Sequence, residues 1–89
     1  MTATQSNASP RTLRLNAQDN LIVAVDALGI GQSAGGVAAS ARIPRGHKMA
    51  TTKIAKGAPV TKFGQIIGFA TEDILPGAHI HTHNCAFAS

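Results

Sequence analysis

The sequence predicts a small, mostly β domain made of short strands and tight turns. Residues 21–25 (LIVAV) form a largely β-branched run bounded by Asp19-Asn20 and Asp26, the composition of a buried strand between two turns. Glycine and proline then recur at short intervals, as in Pro76-Gly77. This spacing favours strands of a few residues over long helices.

The segments can be taken in chain order. Residues 1–12 are rich in Ser, Thr and Asn and are expected to be a disordered leader, with the domain itself over residues 13–89. Residues 29–36 (GIGQSAGG) are expected to be a flexible loop, and residues 37–43 fit either a short helix or a strand. Three later segments, at 43–46, 54–57 and 74–77, share the form Ile-x-x-Gly. That form is typical of a strand ending in a tight turn, where glycine supplies the positive φ.

The composition predicts a thin core. The chain has 89 residues, of which 44% are apolar and only 3% aromatic, all of them Phe. A chain of this length buries roughly 60–65% of its extended surface, so we expect remaining apolar surface to meet a partner, or a second copy in a homo-oligomer when the partner is absent. The single cysteine, Cys85, excludes an internal disulfide, and no apolar run fits a secretory signal or membrane span. A cytoplasmic protein is therefore expected.

The charge distribution predicts an anionic partner. The net charge is +4, but residues 27–71 contain no carboxylate and six cationic side chains. These are Arg42, Arg45, Lys48, Lys53, Lys56 and Lys62. Such a segment attracts a carboxylate substrate, a nucleic acid or an acidic protein surface, or is simply a solvated basic face. Nucleic acid is the weaker alternative, because stacking on bases needs more aromatic side chains than three Phe.

The histidines are the most specific chemical signal. His79, His81 and His83 alternate with other residues, so on a β-strand all three would point to one face and could share a metal or an anion. Exposed edge-strand or structural histidines are the alternative. A closed zinc site is not expected, because Cys85 is the only cysteine and the chain therefore has no Cys-x-x-Cys pair. A second candidate is Gly46-His47-Lys48, where Lys48 could hold a carboxylate and His47 could move a proton.

Together these blocks resemble the SAF-type N-terminal domain of the altronate/galactarate dehydratase family. The resemblance runs over about residues 13–85. It rests on residues 43–48 (IPRGHK), 57–64 (GAPVTKFG) and 67–70 (IGFA), on Asp73-Ile74 and Gly77, and on the pattern His79-x-His81-x-His83-Asn84. It implies a small β-clip (SAF-like) fold, a long bent hairpin layer. In that family the domain is fused to a larger catalytic region or is a separate small subunit, and this chain resembles the small-subunit form.

The resemblance also implies a function and its residues. The family removes water from a 2,3-dihydroxy sugar acid, leaving a 2-keto-3-deoxy acid, with iron or another divalent metal. This chain would then be the small subunit of an altronate dehydratase-like hydro-lyase, inactive without a large catalytic subunit. The cofactor would be a divalent metal, Fe²⁺ or Mn²⁺. One alternative is that the partner subunit supplies most of its ligands. The implied site residues are His47 and Lys48 for catalysis; Asp19, Asn20, Lys48 and Asn84 for substrate binding; and His81 and His83 for the metal.

Two alternatives and one departure accompany this reading. A related two-subunit lyase releases sulfite from 3-sulfolactate, and nothing in these residues separates a sulfonate from a carboxylate. A non-catalytic carbohydrate-binding SAF module is the other alternative, although such modules usually present Trp or Tyr and this chain has neither. The departure is Phe63-Gly64, where the family has Tyr-Gly, so no phenol hydroxyl is available there.

Overall fold

The computed structural model describes residues 10–88, and the regular secondary structure within this range consists of β-strands joined by turns. The strands are β1 (Thr12–Leu13), β2 (Leu21–Ala24), β3 (Ser33–Ala34), β4 (Val37–Ala38), β5 (Lys48–Ala50), β6 (Pro59–Lys62), β7 (Gln65–Ala70), β8 (His79–Ile80) and β9 (Cys85–Phe87). They form a central sheet in the order β1-β2-β5-β8, an outer sheet in the order β6-β7-β9, and the β3–β4 hairpin, with every pair antiparallel. The predicted mostly β class with short strands is confirmed.

Strand β2 is buried on both faces, which explains its continuous apolar sequence. Leu21 belongs to one apolar cluster, which strands of both larger sheets share; its other members are Ala50, Ile54, Val60, Ala70, Ile74, Ile80 and Cys85. Ile22 and Ala24 belong to a second cluster with Leu28, Ala39, Ile43 and Met49. Both clusters are aliphatic apart from the sulfur side chains, so the thin core expected from the composition is what these residues build.

One turn motif recurs four times among the described residues. Its first member is Leu28 or an isoleucine, its fourth is a glycine with φ between +81° and +91°, and the next residue's N–H donates to a carbonyl three residues back. The glycines are Gly31, Gly46, Gly57 and Gly77. A positive φ at the third turn residue is typical of a type II turn. Isolated bridges pair the copies, Leu28 with Ile43 and Ile54 with Ile74.

The structure departs from two of the expectations for local structure and decides between the two alternatives of a third. Residues 29–36 are not a loop: β3 and β4 form a hairpin around Gly35-Gly36, whose positive φ angles suit a tight hairpin turn. This also settles residues 37–43, which contain no helix and begin in β4. The strand expected over residues 79–83 ends at Ile80, and residues 81–84 form a turn.

Residues 10–12, which the sequence assigned to the leader, are among the described residues. Thr12 lies in β1, and the Arg11 guanidinium donates two hydrogen bonds to the Asp26 carboxylate, at 2.8 and 3.0 Å. Residues 1–9 of the predicted leader lie outside the described residues. No helix within residues 10–88 is long and apolar enough to cross a membrane.

Candidate functional site

Three histidines from separate parts of the sequence meet at one place. A ring nitrogen from each of His47, His79 and His81 lies within 4.8 Å of the other two. His47 Nδ1 and His79 Nε2 are 2.8 Å apart, a hydrogen bond in which one ring donates and the other accepts. The rings of His47 and His81 stack at a centroid distance of 4.9 Å, and those of His79 and His81 at 5.5 Å. We call these three residues the histidine trio.

Two copies of the turn motif deliver the trio. His47 follows Gly46, whose N–H donates to the carbonyl of Ala24, while the His47 carbonyl accepts from the Ala24 N–H. His79 comes two residues after Gly77 and pairs with Met49, two residues beyond His47, in the β5–β8 ladder. The central sheet therefore brings together residues that lie 32 positions apart in the sequence.

Asn84 shapes the turn that carries the third histidine. Its Oδ1 accepts from the N–H of His81 at 3.0 Å, and its Nδ2 donates to the carbonyl of His79 at 2.9 Å. The side chain is buried, and the backbone N–H groups of Asn84 and Cys85 both donate to the His81 carbonyl. Asn84 thus positions His81 over His79, while its predicted substrate contact stays a prediction.

His83 stands at the edge of this arrangement. Its ring lies 5.7 Å from that of His79, tilted by 39°, and it is not part of the trio. Alternation along an uninterrupted strand placed His79, His81 and His83 on one face, and the resemblance implied His81 and His83 as the metal ligands. Since the strand ends at Ile80, the structure groups His81 with His47 and His79 instead.

The electrostatics of the trio favour a neutral imidazole at its centre. Burial lowers the pKa of His79, and the charges of the other histidines and of Lys48 lower it further. A neutral imidazole presents a lone pair, which is the form that ligates metals and accepts protons.

The donor set fits a divalent cation. Metal–nitrogen bonds of about 2.1 Å place neighbouring ligand nitrogens about 3–3.5 Å apart. The trio nitrogens lie within 4.8 Å of one another, so the rings would have to move closer together to ligate one cation. Imidazole donors suit zinc, iron, copper and nickel, whereas manganese prefers oxygen donors. The trio could therefore hold a divalent metal ion.

Lys48 belongs to a different group of side chains from its neighbour His47. Its Nζ lies 5.2 Å from the ring centroid of Phe87, and in the ladder it pairs with Val23 and Ile80, on the side of the first apolar cluster. Burial, followed by the charge of Lys62, lowers the pKa of Lys48. The sequence considered His47 and Lys48 as one unit, but the contacts of the two side chains are separate.

Asp19 and Asn20 hold the β6–β7 hairpin. Asp19 Oδ1 accepts from the N–H of Gly64 at 2.8 Å. Asn20 accepts from the N–H of Thr61 and donates to the carbonyl of Pro59, so its amide is used on both sides. Asp19 is 3% exposed, and its Oδ2 has no hydrogen-bond partner among the described residues. These contacts give both residues a structural task, and the substrate contact predicted for them is untested.

The basic segment carries no internal neutralisation. The one ion pair among residues 10–88 joins Arg11 to Asp26, and both residues lie outside the segment 27–71. The six cations of the segment make no ion pair with a described carboxylate. The segment therefore keeps the anion-attracting character predicted from the sequence.

Comparison with known proteins identifies the family. The model of the altronate/galactarate dehydratase SAF domain matches residues 10–88. The chain belongs to this family. The resemblance stated from the sequence is confirmed, and the three antiparallel sheets described above are the SAF domain of this chain.

The chain is similar to two altronate dehydratases and to one subunit of a sulfo-lyase. It is 42% identical over 76 residues to an altronate dehydratase of Escherichia coli K12 and 37% identical over 76 residues to one of Bacillus subtilis 168, each time covering 81% of this chain. The chain spans only 15% of the length of these two relatives. It is also 45% identical over 47 residues to the (2R)-sulfolactate sulfo-lyase subunit alpha of Paracoccus pantotrophus, which covers 53% of this chain and 70% of that subunit.

Proposed function

We propose that this SAF domain is the small, site-completing component of a hydro-lyase that removes water from an anionic sugar acid. A large catalytic partner supplies the rest of the site. The observation that carries the proposal is the histidine trio, a set of three close ring nitrogens on a domain whose family includes dehydratases. The Paracoccus relative supports the two-component arrangement, since its name describes it as a subunit.

The chemistry requires groups of the kind that the trio provides. Loss of water from a 2,3-dihydroxy acid takes the proton from the carbon next to the carboxylate and releases the hydroxyl of the following carbon. A base must accept the proton, and a cation must stabilise the enediolate charge. A divalent cation on the trio would supply Lewis-acid stabilisation of that charge.

The residues of this chain have separate tasks in the proposal. His47, His79 and His81 offer imidazole nitrogens for a cation or a proton, and Asn84 fixes the turn that presents His81. The cationic residues of segment 27–71 draw the acid towards the domain. Lys48 is retained as a candidate for holding a substrate carboxylate, from a position beside Phe87.

A chimeric enzyme tests the proposal. The 76-residue matched segment of the E. coli altronate dehydratase is replaced by this chain, and formation of the 2-keto-3-deoxy acid from altronate is followed with a carbonyl reagent. We expect the chimera to be active and its His81→Ala variant to lose about 100-fold or more in kcat. Glu72→Gln, an exposed side chain outside the cationic segment and the trio, is the control and should retain activity.

Two results would contradict the proposal. The first is a chimera that folds, by circular dichroism and cooperative melting, but forms no product. The second is full activity in the folded His81→Ala chimera, which would leave the trio without a role in the reaction.

The second candidate function is the small subunit of a 3-sulfolactate sulfo-lyase. The observation that favours it is the coverage of the Paracoccus subunit, 70% of whose length aligns with this chain. Replacing that subunit by this chain in the assembled sulfo-lyase and measuring sulfite release from sulfolactate distinguishes the two. Sulfite release together with an inactive altronate chimera would favour the sulfo-lyase.

A further inference from the structure

The first apolar cluster fills the space between the two larger sheets. The central sheet contributes Leu21 and Ala50 to it, and the outer sheet contributes Val60, Ala70 and Cys85. Side chains at every second position of a regular strand lie on the same face. Residues two positions away from these cluster members therefore point into the same space.

Lys48 points into this space from the central sheet. It lies two residues before Ala50 on β5. In the ladder it pairs with Val23 and Ile80, which both contact the first apolar cluster. The Lys48 side chain is half-buried, so it lies along the edge of the space and does not extend freely into solvent.

Phe87 faces Lys48 from the outer sheet. It follows the buried Cys85 by two residues on β9, and the β7–β9 pairing is regular over this stretch, so both side chains lie on the inward face. The Nζ of Lys48 lies 5.2 Å from the ring centroid of Phe87, within the range of a cation–π contact. Because the Phe87 side chain is 38% exposed, this contact lies at the open edge between the sheets.

Lys62 brings a second ammonium group to this edge. It follows the buried Val60 by two residues on β6, and the register shift beyond Val60 places its extra residue in β7, so alternation along β6 is kept. Its Nζ lies 5.2 Å from the ring centroid of Phe63, the next residue. The charge of Lys62 is one cause of the lowered pKa of Lys48, so the two ammonium groups are near enough to repel each other.

No described carboxylate neutralises Lys48 and Lys62, which we call the lysine pair. Neither residue makes an ion pair within residues 10–88. Half-buried ammonium groups near each other are unfavourable, and an anion between them offsets this cost. No enclosed cavity lies within the described part of the chain, so such an anion would bind at the open edge between the sheets.

The lysine pair is separate from the histidine trio. His79 pairs with Met49, whose side chain belongs to the second apolar cluster. Lys48, the residue before Met49, faces the first cluster with Ile80. The two groups of side chains therefore lie on opposite faces of the central sheet.

We infer that Lys48, Lys62 and Phe87 form a binding site for a small organic acid. The carboxylate of the acid lies between the two ammonium groups, and its carbon chain lies against the Phe87 ring. Lysine attracts an anion as a point charge, without the planar fork of arginine, so the aromatic wall is what favours an organic acid over an inorganic anion. The inference goes beyond the proposed function, because binding here requires neither the partner nor the dehydration.

An NMR titration of the free chain tests the site. Butyrate is the probe, because it joins one carboxylate to a short carbon chain, and butyramide is its uncharged counterpart. At neutral pH and constant ionic strength, we expect butyrate to shift the side-chain signals of Lys48 and Lys62 and the ring signals of Phe87. Butyramide should bind at least about tenfold more weakly, because it lacks the charge that the lysines attract.

Variants of the lysine pair separate binding from folding. Lys48→Met and Lys62→Met each remove one charge but keep an unbranched side chain for the apolar contacts, so both chains should melt cooperatively. We expect butyrate affinity to fall at least about fivefold in each variant. Lys62→Arg, the matched control that keeps the charge, should retain most of the affinity.

Several results would overturn the site. Butyramide that binds as tightly as butyrate would show an apolar contact without an anion site. Shifts confined to His81 and Asn84, or undiminished butyrate affinity in the folded Lys48→Met and Lys62→Met chains, would place the binding elsewhere. Inorganic phosphate that binds more tightly than butyrate would contradict an organic acid as the ligand. None of these measurements uses the activity of the chimera, so the hydro-lyase proposal stands or fails separately.

Discussion

At the scale of single residues, the Asp19 carboxylate joins the start of β2 to the turn of the β6–β7 hairpin. Burial alone would raise the pKa of Asp19, but the hydrogen bond from the Gly64 N–H, the nearby backbone N–H groups of Phe63 and Asn16 and the charge of Arg14 together lower it below its ordinary value of 3.8. The ionised form is therefore favoured in the folded chain. The stability it contributes is present above pH 3.8 and is lost as the pH falls towards the lowered pKa.

Asp19→Asn should lower the urea midpoint at pH 6 and reduce its further decline between pH 4 and pH 2.5. Urea unfolding followed by circular dichroism across this range measures both effects. Glu72→Gln removes an exposed carboxylate that makes no hydrogen bond to the described residues, and is the matched control. An Asp19→Asn chain with the acid profile of the wild type would show that the hairpin contact does not favour ionisation.

The trio and His83 differ in a way that a metal titration can detect. The free chain is titrated anaerobically with Fe²⁺, or with Co²⁺ as a spectroscopic probe. We expect His47→Ala, His79→Ala and His81→Ala each to weaken binding at least about tenfold, since each removes one of three close nitrogens. His83→Ala should bind nearly as the wild type does. An equal loss in His83→Ala and His81→Ala would instead support the ligand pair predicted from the sequence.

At the scale of elements, two copies of the turn motif differ in the space available for a side chain at their glycine. A Cβ at Gly57, with φ +85°, would meet nothing within 4 Å, whereas one at Gly77, with φ +91°, would lie 2.2 Å from the Ala38 carbonyl oxygen. Gly57→Ala should therefore cost about 1–2 kcal/mol in the free energy of unfolding, for the backbone conformation alone. Gly77→Ala should cost about 3 kcal/mol or more, and urea denaturation of both variants measures the difference. Equal losses of unfolding free energy in the two variants would show that β4 moves away from the added methyl group at little cost.

The elements also show how far the sequence could be interpreted. The Ile-x-x-Gly segments were predicted as turns because glycine at a positive φ is a local property. The fourth copy was missed because it starts with Leu28 and lies in a glycine-rich stretch. The strand over residues 79–83 was wrong because Asn84 bonds back to His79 and His81, and alternation of residue types does not reveal such a turn.

The composition of the candidate site depended on pairing between distant strands. The sequence singled out His47 and His81 but assigned them separate tasks, and it had no means of showing that β5 and β8 are neighbours. The available signal was that two copies of the turn motif are each followed closely by a histidine, His47 directly after Gly46 and His79 two residues after Gly77. Likewise, Asp19 and Asn20 were recognised as notable residues, whereas their contacts to the β6–β7 hairpin, more than 35 positions away, could not be predicted.

At the scale of the whole molecule, β2 contributes to both apolar clusters, and this predicts a single unfolding transition. Ile22→Val removes a methyl group from one cluster and Ile80→Val from the other, each at a side chain that is at least 99% buried. Each variant should lose about 1 kcal/mol of unfolding free energy, with one urea transition of unchanged slope. Two separate transitions in either variant would show that the clusters unfold independently.

The lengths of the outermost strands determine how readily copies of the chain can pair through the edges of their sheets. The central sheet ends in β1 and β8, each of two residues, and the outer sheet ends in β9, of three residues, and β6, of four residues beginning with Pro59. Free backbone N–H and C=O groups along a long edge would recruit strands from other molecules and start a fibre. These edges offer too few such groups in a row. We therefore expect copies of the chain not to pair edge to edge, although its phenylalanines are exposed.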